Sequence, residues 1–237
     1  MWFRRKMKME HTEEEKHILR GELALAIAVV VNSFGVVLML YSGAGISAIS
    51  SVPYAFSEVL PRISLGTWTY LFQGILVLSL MILRKKFVPP YLFSFVVGFL
   101  FGELLDVHEL WIGILPTAIP FRVLYFVVSY LLICIGIALS NRCGLPIIPT
   151  DLFPRELADI TKITYSKIKI SFDVICLTVT AGMTLIFLGH IKGLGIGTIL
   201  AAFTMGKCIG LIGNWMDKRV QFVAGIPVRQ KEKEQQA

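Results

Sequence analysis

The sequence predicts an all-α membrane protein with six transmembrane helices, arranged as a 3+3 inverted-topology repeat with broken or re-entrant loops. The first observation is composition: 55% of residues are hydrophobic, 16% are charged, and the mean hydropathy is +0.72. Uncharged windows of about twenty residues recur, the length that crosses a hydrocarbon core. The second is an internal repeat with three such windows per copy. Because each copy crosses the membrane an odd number of times, the second copy has the opposite orientation in the membrane. This arrangement is common in small-molecule transporters.

Six apolar segments define the expected spans. They lie near Leu23–Tyr41, Thr67–Leu83, Pro90–Asp106, Ile119–Leu139, Ile170–Leu188 and Gly195–Trp215. Repeat one then covers residues 23–112 and repeat two residues 113–217. A cytoplasmic tail of residues 1–22 precedes them, and a disordered cytoplasmic tail of residues 218–237 follows. Because the first tail is too polar and too charged for a cleaved signal sequence, we expect the first span to be retained.

The repeat is clearest in its glycines and prolines. The segment Gly35–Pro53 aligns with Gly136–Pro154 at a constant offset of 101 residues. Further along, Gly98-x-x-x-Gly102 recurs as Gly206-x-x-x-Gly210. Small residues at this spacing let helices approach closely in lipid, so we interpret both motifs as helix-packing faces. The same faces could instead support a homodimer.

The distribution of Lys and Arg predicts the orientation. With a cytoplasmic N-terminus, only Arg62, Arg122 and Lys192 fall outside, and every other Lys and Arg except the intramembrane Lys207 falls inside. This bias has the sign of the positive-inside rule and places both termini in the cytoplasm of a bacterial plasma membrane. The net charge of +7 requires no nucleic acid, because cationic residues on that face meet anionic lipid headgroups.

The loop after the first span of each copy is rich in helix breakers. Gly43–Pro53 and Gly144–Pro154 are expected to be broken or re-entrant, each leading into a short amphipathic helix over Tyr54–Leu60 or Arg155–Ile163. Either Thr150 or Asp151 can cap the second of these helices. Non-helical backbone at membrane depth is tolerated only inside protein or beside a wet cavity. The alternative is an ordinary interfacial loop with a surface helix.

Charged residues inside spans are the sharpest site candidates, because a charge in the bilayer is costly. Asp173 in the fifth span and Lys207 in the sixth lie at similar expected depths, and we predict an ion pair between them. Asp151, in the preceding loop, is a further candidate. The alternative for the pair is a static neutralisation of two buried charges.

Copy one offers weaker counterparts. Gln73 precedes Asp173 by one hundred residues, and Glu103 in the third span is expected at a similar depth. We predict that Gln73 and Glu103 form the corresponding polar pair, although Glu103 could be solvated beside Asp106. Asn32 in the first span is a candidate ligand, with a helix–helix hydrogen bond as the alternative.

No catalytic or metal-binding pattern is present. The four His residues are scattered without HExxH spacing, the four Cys residues lack CxxC spacing, and there is no GxxxxGK[ST] loop. We therefore expect no enzyme activity, no cofactor and no metal.

The sequence resembles a known family over most of residues 23–218, most clearly in the second copy. The stretch Gly144–Asp151, the basic amphipathic segment after it, and Gly193–Thr198 leading into Gly206-x-x-x-Gly210 resemble the YczE/YitT-type bacterial membrane proteins. The sequence departs from that pattern at Thr150, where an aromatic residue is expected, and at Ser50, which stands where copy two has Asp151. The resemblance implies a multi-span plasma-membrane protein and little about its substrate.

These observations predict a secondary transporter or exporter of an unknown small molecule, with Asp173, helped by Lys207, as the proton-coupling acid. The alternative is a non-transporting scaffold that recruits a cytoplasmic enzyme through the segment 155–169 and the basic tail. A transporter requires a cavity between the halves, whereas a scaffold can be solid there.

Overall fold

The computed structural model describes residues 17–223, except for the side chain of Ser166. Most of the two expected tails, residues 1–22 and 218–237, therefore lies outside the described residues. The elements in order are β1 (His17–Arg20), α1 (Gly21–Tyr41), α2 (Ala48–Val59), α3 (Leu65–Arg84), α4 (Pro89–Ile112), α5 (Ile119–Ser140), α6 (Pro149–Thr161), α7 (Tyr165–Leu188), α8 (Ile196–Arg219) and β2 (Val220–Val223).

Six of these helices are long and apolar enough to cross a bilayer: α1, α3, α4, α5, α7 and α8. The prediction of six spans is confirmed, and the chain is a multi-pass membrane protein. Several helices are longer than expected: α4 continues to Ile112, α7 already begins at Tyr165, and α8 continues to Arg219. Hydropathy misses such ends, since Lys167 and Lys169 can be helical while their long side chains reach polar surroundings.

The two described ends of the chain meet in a short parallel sheet. Strand β1 pairs with β2 in a register that sets Leu19 opposite Phe222, and both side chains pack against the core. The expectation of disorder from residue 218 onward is therefore wrong for the first residues of that tail, where α8 continues to Arg219 and β2 follows. We call this end of the bundle the strand end.

Helices α1 and α5 form the centre of the bundle. They are antiparallel, since Asn32 packs against Gly136 while Tyr41, nine residues on, lies beside Tyr125 with ring centroids 6.1 Å apart. Close approach is possible because Gly35 and Gly136 lack side chains: a Cβ at Gly35 would lie 2.8 Å from Ile133 Cγ1. Helix α4 flanks α1, and α8 flanks α5.

Each short helix packs against the second span of the other half of the chain. Helix α2 packs on α7, with the hydroxyls of Ser51 and Thr180 2.8 Å apart, and α6 packs on α3. Each short helix also forms an ion pair with a residue at or just after the end of the span on which it packs. Glu58 of α2 binds Lys192, and Glu156 of α6 binds Arg84.

The non-helical segment before α2 forms backbone hydrogen bonds with another part of the chain. The loop before α2 docks on the loop before α8, where Ile46 N donates to Gly193 O (3.0 Å) and Gly197 N donates to Ala44 O (2.9 Å). This satisfies non-helical backbone as a membrane interior requires. Both short helices begin earlier than expected, and the N-cap of α6 is Ile148, so neither Thr150 nor Asp151 is its cap.

Candidate functional site

A cavity of about 210 Å³ lies where the two halves of the chain meet. Its walls are mostly apolar and come from α1, α2, α4, α5, α6, α7 and α8. Four of the six predicted site residues line it: Asn32, Asp151, Asp173 and Lys207. The other polar side chains in its wall are Ser47, Ser50, Thr150, Tyr165 and Lys169. The structure therefore brings residues from both halves of the chain to one place.

Asp173 is buried and is paired with a lysine of its own helix. The residue is 3% exposed, and Lys169 Nζ lies 2.5 and 2.7 Å from the two carboxylate oxygens. The expected pair with Lys207 is wrong, as no ion pair in residues 17–223 joins the two. Asp173 pairs with Lys169 and not with Lys207 because residues four apart on one helix are neighbours, whereas α7 and α8 make little contact with each other.

Asp151 lies in the first turn of α6, beside the same lysine. Lys169 and Arg155 attract it, and the carboxylate of Asp173 repels it. Burial outweighs the attraction and raises the pKa of Asp151 to about 6 from its ordinary value near 3.8. Two carboxylates therefore face one lysine, with Lys207 on the α8 wall of the same cavity.

Asn32 is buried in α1 at the edge of the cavity. The side chain is 3% exposed, and its Oδ1, which packs against Gly136, has no hydrogen-bond partner in the described part of the chain. The structure thus offers no support for the helix–helix hydrogen bond considered as an alternative. The unpaired atom is a hydrogen-bond acceptor that faces the backbone of α5 at Gly136.

Gln73 and Glu103 do not form the expected pair. Gln73 is fully buried against Gly98 and Pro149, away from the cavity, and neither amide atom has a partner among the described residues. Glu103 lies on an exposed face of α4. The cause is the close packing of α3 on α4, which turns Gln73 inward toward Gly98 while Glu103 lies on another face of α4.

The two halves differ in how their second and third spans pack. In α3 and α4, a Cβ at Gly102 would lie 2.7 Å from Gly66 O. In α7 and α8, nothing lies within 4 Å of a Cβ at Gly182, Gly206 or Gly210. The first GxxxG motif is therefore a packing face, as predicted, and the second is not one in this conformation. Where α7 and α8 diverge, Lys207 is left exposed at the cavity wall.

Several site residues were missed at the level of sequence. Ser47 and Ser50 at the start of α2 and Tyr165 at the start of α7 carry no motif. Lys169, in contrast, has a signal that could have been used, because it precedes Asp173 by four residues. In residues 17–223, no group of three or more His, Cys, Asp or Glu side chains is placed to hold a metal ion.

Comparison with known proteins places this architecture in a family. A family profile matches residues 19–214, which include nearly all of the six spans and every residue of the cavity wall. The chain belongs to DUF6198, a family of unknown function. No curated protein and no solved structure matches the chain significantly. Membership of DUF6198 thus covers both halves of the molecule and assigns no activity to the cavity.

Proposed function

We propose that the protein is a secondary transporter of a small molecule, in which two inverted repeats rock about the cavity. The observation that carries this proposal is the unequal packing of the two halves beside a cavity they share. Two equivalent units that alternate between packed and separated states would present the site to opposite sides of the membrane in turn. The structure would then be one end state, with α3 and α4 packed and α7 and α8 apart.

The contacts between helices support the inverted repeat. In an inverted repeat, α1, α2, α3 and α4 would correspond to α5, α6, α7 and α8. The α1–α5 contact is then its own equivalent, and the contact of α2 with α7 is equivalent to the contact of α6 with α3. The ion pairs Glu58–Lys192 and Glu156–Arg84 map onto each other in the same way. The antiparallel α1 and α5 have the relation expected of equivalent spans in inverted copies.

Charge supports the orientation. Arg84, Arg142 and the described basic residues at the start of α7 fall at the strand end, so we place that end in the cytoplasm of a bacterial plasma membrane. Lys169, from the second turn of α7, lines the cavity. With this orientation, the cavity would extend into the cytoplasmic half, and the end state would face the cytoplasm.

Asp151 is a better candidate for the coupling acid than Asp173. Both carboxylate oxygens of Asp173 already accept hydrogen bonds from Lys169. Asp151 shares that lysine without being its hydrogen-bonded partner, and it lines the cavity at the start of α6. A proton on Asp151 leaves the remaining cluster of Lys169 and Asp173 neutral. Proton uptake could thereby change the charge of the site between its two states.

The alternative of a scaffold demands no cavity and no second conformation, and no specific observation favours it. The relation to the YczE/YitT-type proteins stays a prediction that rests on the glycines, prolines and Asp151 quoted above.

Two distances in a lipid nanodisc test the proposal. Spin labels at Ser171→Cys and Leu211→Cys report the separation of α7 from α8, and labels at Leu71→Cys and Leu100→Cys report that of α3 from α4. We expect two populations for each pair, with the long α7–α8 distance accompanying the short α3–α4 distance, and a shift between them from pH 5 to pH 8. A single distance for both pairs at every pH would refute rocking and favour the scaffold.

Variants of the acids separate coupling from motion. Asp151→Asn should retain both populations but lose their pH dependence. Glu103→Gln, which removes an exposed carboxylate outside the cavity, is the matched control and should leave the pH dependence intact. If Asp151→Asn titrates like the wild type, Asp151 is not the coupling acid.

A further inference from the structure

We propose that a second, smaller cavity at the strand end binds a phosphate group, with Ser94 and Arg155 as its main side-chain contacts. This strand-end cavity has a volume of about 60 Å³ and lies between the end of α3, the start of α4, the loop before α6 and α6 itself. Its wall shares no residue with the wall of the larger cavity, so the inference goes beyond the proposed transport site. Three features carry it: a buried hydroxyl without a partner, an excess of positive charge, and the position of the cavity at the ends of two spans.

Ser94 provides the observation that points to a ligand. It lines the strand-end cavity, it is fully buried, and its Oγ has no hydrogen-bond partner among the described residues. A serine inside a helix can donate its hydroxyl to a carbonyl one turn earlier, as Ser79 donates to Ile75 O at 2.8 Å and Ser129 to Phe126 O at 2.9 Å. Ser94 makes no such bond, so its donor is unused. A buried hydroxyl in this state is unfavourable unless a bound group satisfies it, and a hydroxyl can donate to an anion.

The charged groups in the wall favour an anion. They are Arg84, Arg155 and Glu156, which together carry one net positive charge. Glu156 Oε2 accepts hydrogen bonds from Arg84 Nη2 and from the Tyr91 hydroxyl, and Arg155 Nε lies 4.0 Å from Glu156 Oε1. The side chain of Arg155 is only 17% exposed, which strengthens its attraction for an anion. Because a guanidinium has five N–H donors in a planar fork, Arg155 can bind a phosphate and keep its neighbouring contacts.

Size and position favour a phosphate group over a whole solute. A water molecule needs roughly 10–15 Å³ of such a cavity, so a volume of about 60 Å³ holds only a few non-hydrogen atoms. Arg84 is the last residue of α3, and Tyr91 lies in the first turn of α4, so the cavity is at the membrane-surface end of both spans. Basic pockets between spans on the cytoplasmic side bind anionic lipid headgroups. Inorganic phosphate presents the same oxyanion and would meet the same side chains.

A phosphate in the strand-end cavity would connect the two halves of the chain. Ser94 belongs to α4 of the first half, and Arg155 belongs to α6 of the second, the short helix that packs on α3. Any ligand that binds only the folded protein stabilises it by mass action. A bound phosphate group should therefore raise the Tm, and this readout needs neither transport nor a second conformation.

The test is thermal unfolding of the full chain in dodecylmaltoside micelles. One arm adds dioleoylphosphatidylglycerol, with zwitterionic dioleoylphosphatidylcholine as the lipid control, and the other adds inorganic phosphate at constant ionic strength. We expect phosphatidylglycerol to raise the Tm more than phosphatidylcholine does. Ser94→Ala should raise the mole fraction of phosphatidylglycerol that gives half of this effect about tenfold, because a hydrogen bond to a charged group is lost. Arg155→Gln should raise it at least as much. Without added lipid, the Tm of Ser94→Ala should not be lower than that of the wild type, because the variant removes an unpaired buried hydroxyl.

Two matched controls make the result specific to the strand-end cavity. Ser79→Ala removes a hydroxyl that is bonded within α3, and Lys86→Gln removes an exposed positive charge at the same end of the bundle. Both residues lie outside the cavity wall, and both variants should respond to lipid as the wild type does.

The two arms distinguish the sources of the phosphate. A rise in Tm with inorganic phosphate alone, weakened by Ser94→Ala, would support a site for free phosphate, whereas the response to phosphatidylglycerol supports a lipid headgroup. The proposal is overturned if neither ligand has an effect beyond that of phosphatidylcholine, or if Ser94→Ala responds as the wild type does. Ser94→Ala decides the outcome by itself if Arg155→Gln does not fold. Because nothing here depends on rocking, this titration and the two-distance experiment can fail independently.

Discussion

The unequal packing of the two GxxxG motifs predicts opposite effects of the same substitution. In Gly102→Ala, the new Cβ would lie 2.7 Å from Gly66 O and 3.3 Å from Gly66 C. An ordinary contact needs about 3.5 Å, so α3 and α4 must separate by nearly 1 Å. Overpacking of this kind costs about 1–3 kcal/mol. For a chain of this size, 2 kcal/mol lowers the Tm by about 4–8 °C.

The matched variant is Gly210→Ala, at the corresponding place in α8. Nothing lies within 4 Å of a Cβ there, so no contact is lost in the conformation described. Alanine also has a helix propensity more favourable than glycine by about 1 kcal/mol. The Tm of Gly210→Ala should therefore be unchanged or higher by a few degrees.

The assay is thermal unfolding of both variants in one detergent, combined with the two spin-label distances. Gly210→Ala should keep its stability but lose the population in which α7 and α8 are close, because that state needs the glycine face. Gly102→Ala should lose the population in which α3 and α4 are close. Equal destabilisation by the two variants would mean that α7 and α8 are packed in the resting protein, and the reasoning would be wrong.

Three further predictions concern the charged cluster and the broken loop. Burial raises the pKa of Asp151 from about 3.8 to about 6. The contribution of Asp151 to the free energy of unfolding should therefore be greatest below pH 4 and fall by roughly 3 kcal/mol as the pH rises from 4 through 6. Asp151→Asn should remove this contribution from the pH dependence of thermal unfolding between pH 4 and 8, and an identical pH dependence in the variant would contradict the prediction. Lys169→Met should lower the free energy of unfolding by about 3–5 kcal/mol, because the buried carboxylate of Asp173 loses its partner, and the double variant with Asp173→Leu should recover that loss. No recovery in the double variant would show that the broken ion pair is not the cause of the loss. Gly45→Ala should lower expression and Tm more than Gly43→Ala. Both glycines have positive φ (+109° and +75°), but only at Gly45 would a Cβ collide with backbone, 2.7 Å from Gly195 N in the loop before α8. Equal losses in the two variants would argue against that collision.

The sequence predicted the spans well because span formation depends on local hydropathy. All six were found, and so were the two short helices, although each begins inside its glycine- and proline-rich segment, at Ala48 and Pro149, and not after it. Boundaries were less accurate where charged residues continue a helix, as at Tyr165 in α7. The strand Val220–Val223 was missed because four residues carry too little pattern, and pairing with the N-terminal end of the chain is a tertiary contact.

The site was predicted in part, and the part that failed is informative. Composition and depth indicated Asn32, Asp151, Asp173 and Lys207, which the fold brings to one cavity. The choice of partner for Asp173 failed, because depth alone cannot say which of two lysines is nearer, and the i,i+4 spacing of Lys169 was the better guide. Gln73 and Glu103 failed because the packing of α3 on α4 decides which face each occupies.

The corresponding residues Gln73 and Asp173 suggest how a proton could be linked to rocking. Gln73 lies in the packed half, fully buried against Gly98, which a neutral side chain tolerates better than an ion. If α7 and α8 close as α3 and α4 have done, Asp173 would take the corresponding place beside Gly206. The charges of Asp173 and Lys169 would then be further removed from water. A charged carboxylate at Asp151 would repel that of Asp173 and so oppose closure. A proton on Asp151 removes that repulsion. Copy two, which holds the charges, would then be the half whose closure depends on pH.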